Sequence, residues 1–384
     1  MTLQFHWFLP TASDGRSLVV GTHGTHGPGH GGEGAREEGA DRFRAPDVGY
    51  LAQIARSAEQ LGFDAILTPT GTWCEDAWVM TAALARETER LKFLVAFRPG
   101  LITPTLAAQM AATYQRLSRG RLLLNVVTGG ESAEQARFGD YLSKDERYAR
   151  TDEFLSVMRG AWSGSPFDFH GEHYRVTGAT VSAPPSPLPG LYFGGSSAAA
   201  GPVAARHVDT YLTWGEAPAQ VAEKIAWVRK LADEEGRSLR FGIRFHVVAR
   251  DTSAEAWATA EWLLAGLDRE QVGQVQQTLA ASESTSQARM RELHADFRAD
   301  WNLRDLEIYP NVWSGIGLLR GGAGTALVGS HEEVADRIEE YAALGIEEFI
   351  LSGFPHLEEA YWVGEGVLPQ LRRRGLAAEI GTAT

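Results

Sequence analysis

Apolar positions along the chain switch repeatedly between a period of two and a period near three and a half. That switching predicts alternating strands and helices. Strands are expected at 3–9, 65–68, 91–97, 121–127, 191–193, 210–214, 241–250 and 349–352. Helices are expected at 48–61, 75–86, 104–117, 146–162, 198–207, 217–235, 254–267, 332–344 and 356–371, with Gly62 ending the first and Pro104 starting the third. A short hairpin is expected at 167–176, around His170-Gly171-Glu172. Eight strands separated by helices imply a parallel sheet, and eight units imply a closed (β/α)8 barrel of the TIM type. A doubly wound open sheet is the runner-up, but no GxGxxG stands directly at the end of the first strand.

Two stretches break this rhythm. Residues 20–45 are rich in Gly and His and lack periodicity, as expected of a long loop. His23, His26 and His30 there invite a metal reading; with no Cys beside them, a flexible lid over the barrel mouth is preferred and no metal is expected. Residues 268–328 form an insertion, with a polar helix at 269–294 and a Gly-rich run around Arg320. Residues 1–384 are otherwise read as one barrel domain.

The most informative strand is FGIRFHVVAR at 241–250. Ile243, Phe245, Val247 and Ala249 face one side; Gly242, Arg244, His246 and Val248 face the other. Arg stays charged, and burying it unpaired is costly, so this face looks onto either a carboxylate from a neighbouring strand or an anionic ligand. Residues at strand C-terminal ends converge on the active site of such a barrel. That rule nominates Thr68, Asn125, Gly194, Thr213, Trp214, Arg244, His246 and Ser352. Phe193-Gly194-Gly195-Ser196-Ser197 joins a strand to a helix, where two hydroxyls and close backbone amides suit a phosphate, or simply cap the helix. Thr128 follows Asn125, and Tyr148 opens the next helix beside Arg147, which alternatively pairs with Glu153. Cys74 is either a small buried residue or a weak hydrogen-bonding group. Arg320 is either a solvated surface residue or a cation that closes over the site.

Charge and composition narrow the partners. A net charge of −13 argues against nucleic acid and against anionic membranes. No apolar run reaches the length of a membrane span. Cys74 is the single cysteine and MTLQFHWFLP has no basic leader region, so a cytoplasmic setting is expected. No HExxH, Walker A or GxSxG pattern is present.

FHWFLPT (5–11), CEDAW (74–78), LKFLVAFRPG (91–100), VVTGG (126–130), ERY (146–148), YFGGSS (192–197), YLTWGE (211–216), FGIRFHVVAR (241–250), GLLRGGAGTALVG (317–329) and SGFPHLEEAY (352–361) occur in this order. Together they resemble the reduced-flavin-dependent alkanesulfonate monooxygenases of the bacterial luciferase-like family. The resemblance implies a TIM barrel with FMN at its C-terminal face, used as FMNH2 from a separate NAD(P)H-dependent flavin reductase. It implies a reaction of reduced flavin, O2 and an organosulfonate that gives sulfite and an aldehyde, in a homodimer or tetramer. Arg244, His246 and Arg320 match positions that handle the sulfonate and the oxygenated flavin, His246 as a proton carrier near neutral pH; Trp214 and Cys74 match further active-site positions. Tyr148, Gly195, Ser196 and Ser197 match the flavin phosphate site, and Asn125, Thr128 and Thr68 lie near the ring or ribityl chain. Planar Arg donors suit three sulfonate oxygens, and oxygenated flavin needs a dry pocket.

The chain departs from that pattern at Ala12, where the family often has His, and at Phe354, where it has Tyr. Lys144, which can still meet a phosphate, stands where His is usual two places before the ERY Glu, and the 20–45 loop is longer. These departures widen the expected substrates to larger sulfonates, sugar sulfonates included. Two other readings are a luciferase-like monooxygenase acting on a sulfone, heterocycle or chelate-type carboxylate, and a non-catalytic flavin-binding protein.

Overall fold

The computed structural model describes residues 2–16, 18, 43–265, 269–294 and 303–380. Eight parallel strands close into a barrel: β1 (Gln4–Phe8), β2 (Ala65–Thr68), β3 (Lys92–Phe97), β4 (Leu122–Val126), β5 (Leu191–Phe193), β6 (Thr210–Trp214), β7 (Arg240–Arg250) and β8 (Glu348–Ser352). Each pairs with the next, and β8 closes on β1, with Phe5 opposite Phe349. The expected strands and the closed TIM-type fold are therefore both present. The hairpin is present too, as Phe167–His170 and Arg175–Ala179.

Alternation along the strands separates two apolar layers. Phe8, Leu67, Leu94, Tyr192 and Ile350 fill the barrel interior. The opposite faces, including Ile243, Phe245, Val247 and Ala249, pack against the helices. Local signals set the helix ends. Gly62 takes φ 91° after Val48–Leu61, a left-handed conformation that suits glycine. Asp76 caps Ala77–Leu84 by accepting from the Val79 amide at 2.9 Å. Ser143 and Glu146 form a capping box on Lys144–Ala161.

β7 is longer than a barrel strand needs. Its first part pairs with β6 and β8, and His246–Arg250 then pairs with an added strand, Ala326–Ser330. The alternation of 268–328 was too short-lived to reveal that strand from sequence. Within the insertion, the expected single helix at 269–294 is instead two, Arg269–Ala280 and Thr285–Glu292. Ser284 caps the second by accepting from the Gln287 amide, so the break lies at the serines the sequence already displays. The long loop expected at 20–45, with its three histidines, falls outside the described residues except at its end.

Candidate active site

The C-terminal ends of the barrel strands open into a cavity of about 430 Å³. The barrel supplies its floor through Phe8, Leu67, Asn125, Trp214, Arg244 and Ile350; the insertion supplies its roof through Thr278, Leu279, residues 284–287, Gly321 and Gly322. Of the residues nominated from sequence, Asn125, Thr128, Tyr148, Gly194, Gly195, Ser196, Ser197, Thr213, Trp214 and Arg244 line this space. Thr68, Cys74, His246, Arg320 and Phe354 are outside that lining.

Arg244 and Arg320 come from elements far apart in sequence and converge on one ring. The Arg244 guanidinium carbon lies 4.3 Å from the Phe8 ring centre, and that of Arg320 lies 5.7 Å from the same ring and 5.7 Å from Phe354. Arg244 Nε and Nη2 and Arg320 Nε are buried without a hydrogen-bond partner. Burial lowers the Arg244 guanidinium to about 10, still charged at neutral pH, and lowers Arg320 as well, with the charge of Arg244 pushing the same way. Arg320 is 3% exposed, which excludes the solvated-surface reading. Neither cation has an ion pair with a carboxylate among the described residues. Two like charges brought together without a counter-ion destabilise the fold, and an anion between them removes that cost.

His246 stands two residues beyond Arg244 on the same face, buried and stacked on Phe354 with ring centres 5.3 Å apart. Its Nδ1 meets the Ser352 hydroxyl at 2.9 Å and its Nε2 meets the Ala323 carbonyl at 3.1 Å. A carbonyl only accepts, so Nε2 carries the proton and Nδ1 accepts from Ser352. Burial, then the charges of Arg320 and Arg244, hold its pKa well below the ordinary 6.5. His246 is thus held as a neutral, doubly anchored ring, its pKa displaced below the range in which an imidazole exchanges protons near neutral pH. Cys74 donates weakly to the Gly71 carbonyl at 3.6 Å, and burial pushes its thiol up to about 12, so it is no thiolate. Thr68 Oγ1 is buried without a partner at the end of β2.

At the other end of the cavity the glycines are needed for space. A methyl at Gly195 would lie 2.7 Å from Ala200 Cβ and 3.2 Å from Tyr148 Oη, and one at Gly194 would lie 2.9 Å from the Leu212 carbonyl. Ser196 Oγ meets Ser286 Oγ at 3.1 Å. Arg147, for which Glu153 is the partner suggested by sequence, instead pairs with Glu283 at 3.2 Å and donates to the Leu142 carbonyl at 2.5 Å. Glu153 accepts from three backbone amides of the hairpin turn, those of Glu172, His173 and Tyr174.

Sequence reasoning missed Asp14 and His356. Asp14 accepts from the Tyr50 hydroxyl at 2.5 Å and meets His356 Nδ1 at 2.9 Å, leaving His356 Nε2 buried and unpartnered. The phenyl rings of Phe8 and Phe354 both pack on His356, at 5.6 and 5.2 Å. His356 stands inside the quoted SGFPHLEEAY segment and Asp14 just beyond FHWFLPT, but only the fold joins them.

Comparison with known proteins agrees with this architecture. Solved structures of similar shape include a riboflavin lyase (RcaE) with modified FMN and riboflavin, at 21% identity, covering 100% of this chain and 94% of that one, TM-score 0.79. DmoA from Hyphomicrobium sulfonivorans matches at 20% identity, 100% and 90% coverage and TM-score 0.77. The EDTA monooxygenase EmoA from Chelativorans sp. BNC1 matches at 19%, 100%, 97% and 0.73. At these identities the likeness is one of fold. Residues 3–348 match the family described as luciferase-like monooxygenase, and the chain belongs to that family.

Proposed function

We propose that this chain is a flavin-dependent monooxygenase that cleaves the C–S bond of an organosulfonate. Its reaction consumes FMNH2, O2 and RCH2SO3⁻ and yields FMN, an aldehyde RCHO, bisulfite and water. A separate NAD(P)H-dependent reductase supplies the reduced flavin. The family membership and the FMN-bearing riboflavin lyase of the same fold support the cofactor. The observation that carries the substrate class is the pair of buried guanidinium groups, Arg244 and Arg320, with unsatisfied N–H groups and no carboxylate partner among the described residues. A neutral sulfone or heterocycle leaves that charge uncompensated; a sulfonate meets it with three oxygens.

The residues present fit the flavin. The space kept open at Gly194 and Gly195, beside the Tyr148, Ser196 and Ser197 hydroxyls, suits its phosphate. Asn125 and Thr128 line the cavity and would serve the ribityl chain and ring edge, while the unpartnered Thr68 hydroxyl lies at the end of β2 outside that lining. The bound reduced flavin supplies the activation of oxygen, which no side chain provides. The protein's own part is positioning and exclusion of water. Arg244 would hold the sulfonate from the cavity wall and Arg320, on the same Phe8 ring, would add a second positive charge; Phe8 and Trp214 line the space, and neutral His246 fixes the Gly-rich segment through Ala323.

The test is sulfite release from a panel of linear, aromatic and sugar sulfonates, with FMN, NAD(P)H, O2 and a flavin reductase. At least one sulfonate should yield sulfite and the matching aldehyde. No sulfite from any of them, with the reductase shown active, rejects the reading.

A further inference from the structure

The insertion grips the segment that carries Arg320 with two carboxamides and uses them differently. Gln276, in Arg269–Ala280, donates through Nε2 to the Gly317 carbonyl at 2.8 Å and to the Leu318 carbonyl at 3.0 Å, so both of its N–H groups are spent. Gln287, in Thr285–Glu292, meets the same segment the other way round: its Oε1 accepts from the Gly322 amide at 2.8 Å. A backbone amide only donates, so this contact fixes which end of the carboxamide is oxygen. Nε2, with two N–H groups, is left without a partner among the described residues. Gln287 is 4% exposed and lines the cavity. Resting on the sulfonate reading above, we propose that Gln287 is a specificity-determining residue whose free N–H groups donate to a hydroxyl or ring oxygen on the carbon chain of the substrate. The site then prefers a hydroxylated sulfonate to a plain alkyl one.

Donor count and position both support this. Arg244 Nε and Nη2 and Arg320 Nε are three unpartnered nitrogens on guanidinium groups around Phe8, as many as the headgroup has oxygens. They leave the Gln287 donors to something beyond the headgroup. Arg244 belongs to the floor of the cavity and Gln287 to its roof, so a ligand held by its sulfonate at the floor meets Gln287 with its chain. Ser286 turns to Ser196 on the barrel, whereas Gln287 turns to the Arg320 segment. Thr278, Ser284 and Thr285 line the same roof and offer further hydroxyls to a polar chain.

The selectivity follows from what an unpaired donor costs. An alkyl chain pressed against a buried N–H leaves it unsatisfied, while a hydroxyl oxygen accepts from it. A pocket built around such a donor rejects the deoxy analogue more strongly than an apolar pocket separates two chain lengths.

The experiment compares propane-1-sulfonate with 2,3-dihydroxypropane-1-sulfonate on the full chain, as wild type and as Gln287→Leu. Affinities are measured under nitrogen with photoreduced FMN by tryptophan quenching, and kcat/KM by sulfite release with an active flavin reductase. Wild type should favour the dihydroxylated ligand by about thirtyfold, equivalent to about 2 kcal/mol, and in Gln287→Leu the ratio should fall to about three or less. Affinity for reduced FMN should not change. A loosened hold on Gly322 lowers both sulfonates alike and leaves their ratio alone, so the ratio reads recognition and not positioning. A wild-type ratio near one, a ratio that survives in Gln287→Leu, or a fall in FMN affinity overturns the proposal while the sulfonate reading stands. Binding of neither ligand to wild type overturns it as well; if no sulfonate of the wider panel yields sulfite either, the sulfonate reading falls with it.

Discussion

The two ends of the barrel carry similar charges and treat them in opposite ways. At the N-terminal end, Glu348 of β8 is fully buried and meets His6 of β1 at 2.9 Å, Thr210 of β6 at 3.1 Å and Arg240 of β7 at 3.0 Å. Four residues further along β7, Arg244 points to the same inside face and meets no carboxylate among the described residues; four residues along β8, Ser352 replaces the acid. A cation that meets a buried acid, as half-exposed Arg240 meets Glu348, is part of the scaffold. A buried cation without one is a standing demand for an anion, and that difference separates structure from site here.

The largest effect should come from breaking the closed end. Glu348→Ala strands His6 and Arg240 around an empty pocket and is expected to cost about 3–5 kcal/mol, read as a large fall in Tm. Glu348→Gln should cost less. A similar fall for Arg244→Met would erase the contrast, because removing an unpartnered cation is expected to leave stability unchanged or raise it.

At the open end the loss should be in turnover. Arg320→Met is expected to lower kcat/KM for the sulfonate by about a hundredfold, comparable to removal of one partner from a buried charged contact, with the circular dichroism spectrum intact. An unchanged kcat/KM would return Arg320 to a packing role.

Acid should distinguish the two ends as well. Burial pushes the Glu348 carboxyl up, but the hydrogen bond and charge of His6 and the charge of Arg240 outweigh it, so its pKa is net below the ordinary 4.5. Its contribution to stability is then complete above about pH 4.5 and is lost as pH falls through the lowered value. Denaturant unfolding of wild type and Glu348→Gln between pH 7 and 3 should converge at the acid end. Parallel curves would contradict this.

The smallest effects concern His246 and Cys74. The His246 ring should stay neutral, with its proton on Nε2, throughout pH 6–9 in nitrogen NMR; titration within that range would restore it as a proton carrier. Cys74 should alkylate slowly at pH 8, as a thiol raised to about 12 requires.

Much of this was legible in the chain. The period-two runs gave all eight barrel strands, and the alternation in 241–250 put Arg244 and His246 on the inward face. What escaped was set by contacts across long separations. His246 owes its tautomer to Ser352, 106 residues on, and to Ala323, 77 residues on. Ser196 meets Ser286 across 90 residues, and Asp14 reaches His356 across 342. Arg147 had a plausible local acid in Glu153, but the hairpin amides claimed that carboxylate first. The strand Ala326–Ser330 was hidden because its partner, the overshooting end of β7, had already been assigned to the barrel.

The central claim is that the unpaired guanidinium groups hold an anionic headgroup beside the flavin. The most direct measurement compares a sulfonate that the enzyme turns over with its neutral methyl sulfone isostere, as competing ligands of wild type and Arg244→Met. Wild type should prefer the sulfonate, and the variant should lose about a hundredfold in sulfonate affinity while its sulfone affinity stays unchanged. Equal affinity for the two ligands in wild type, or an equal loss for both in the variant, would contradict the account.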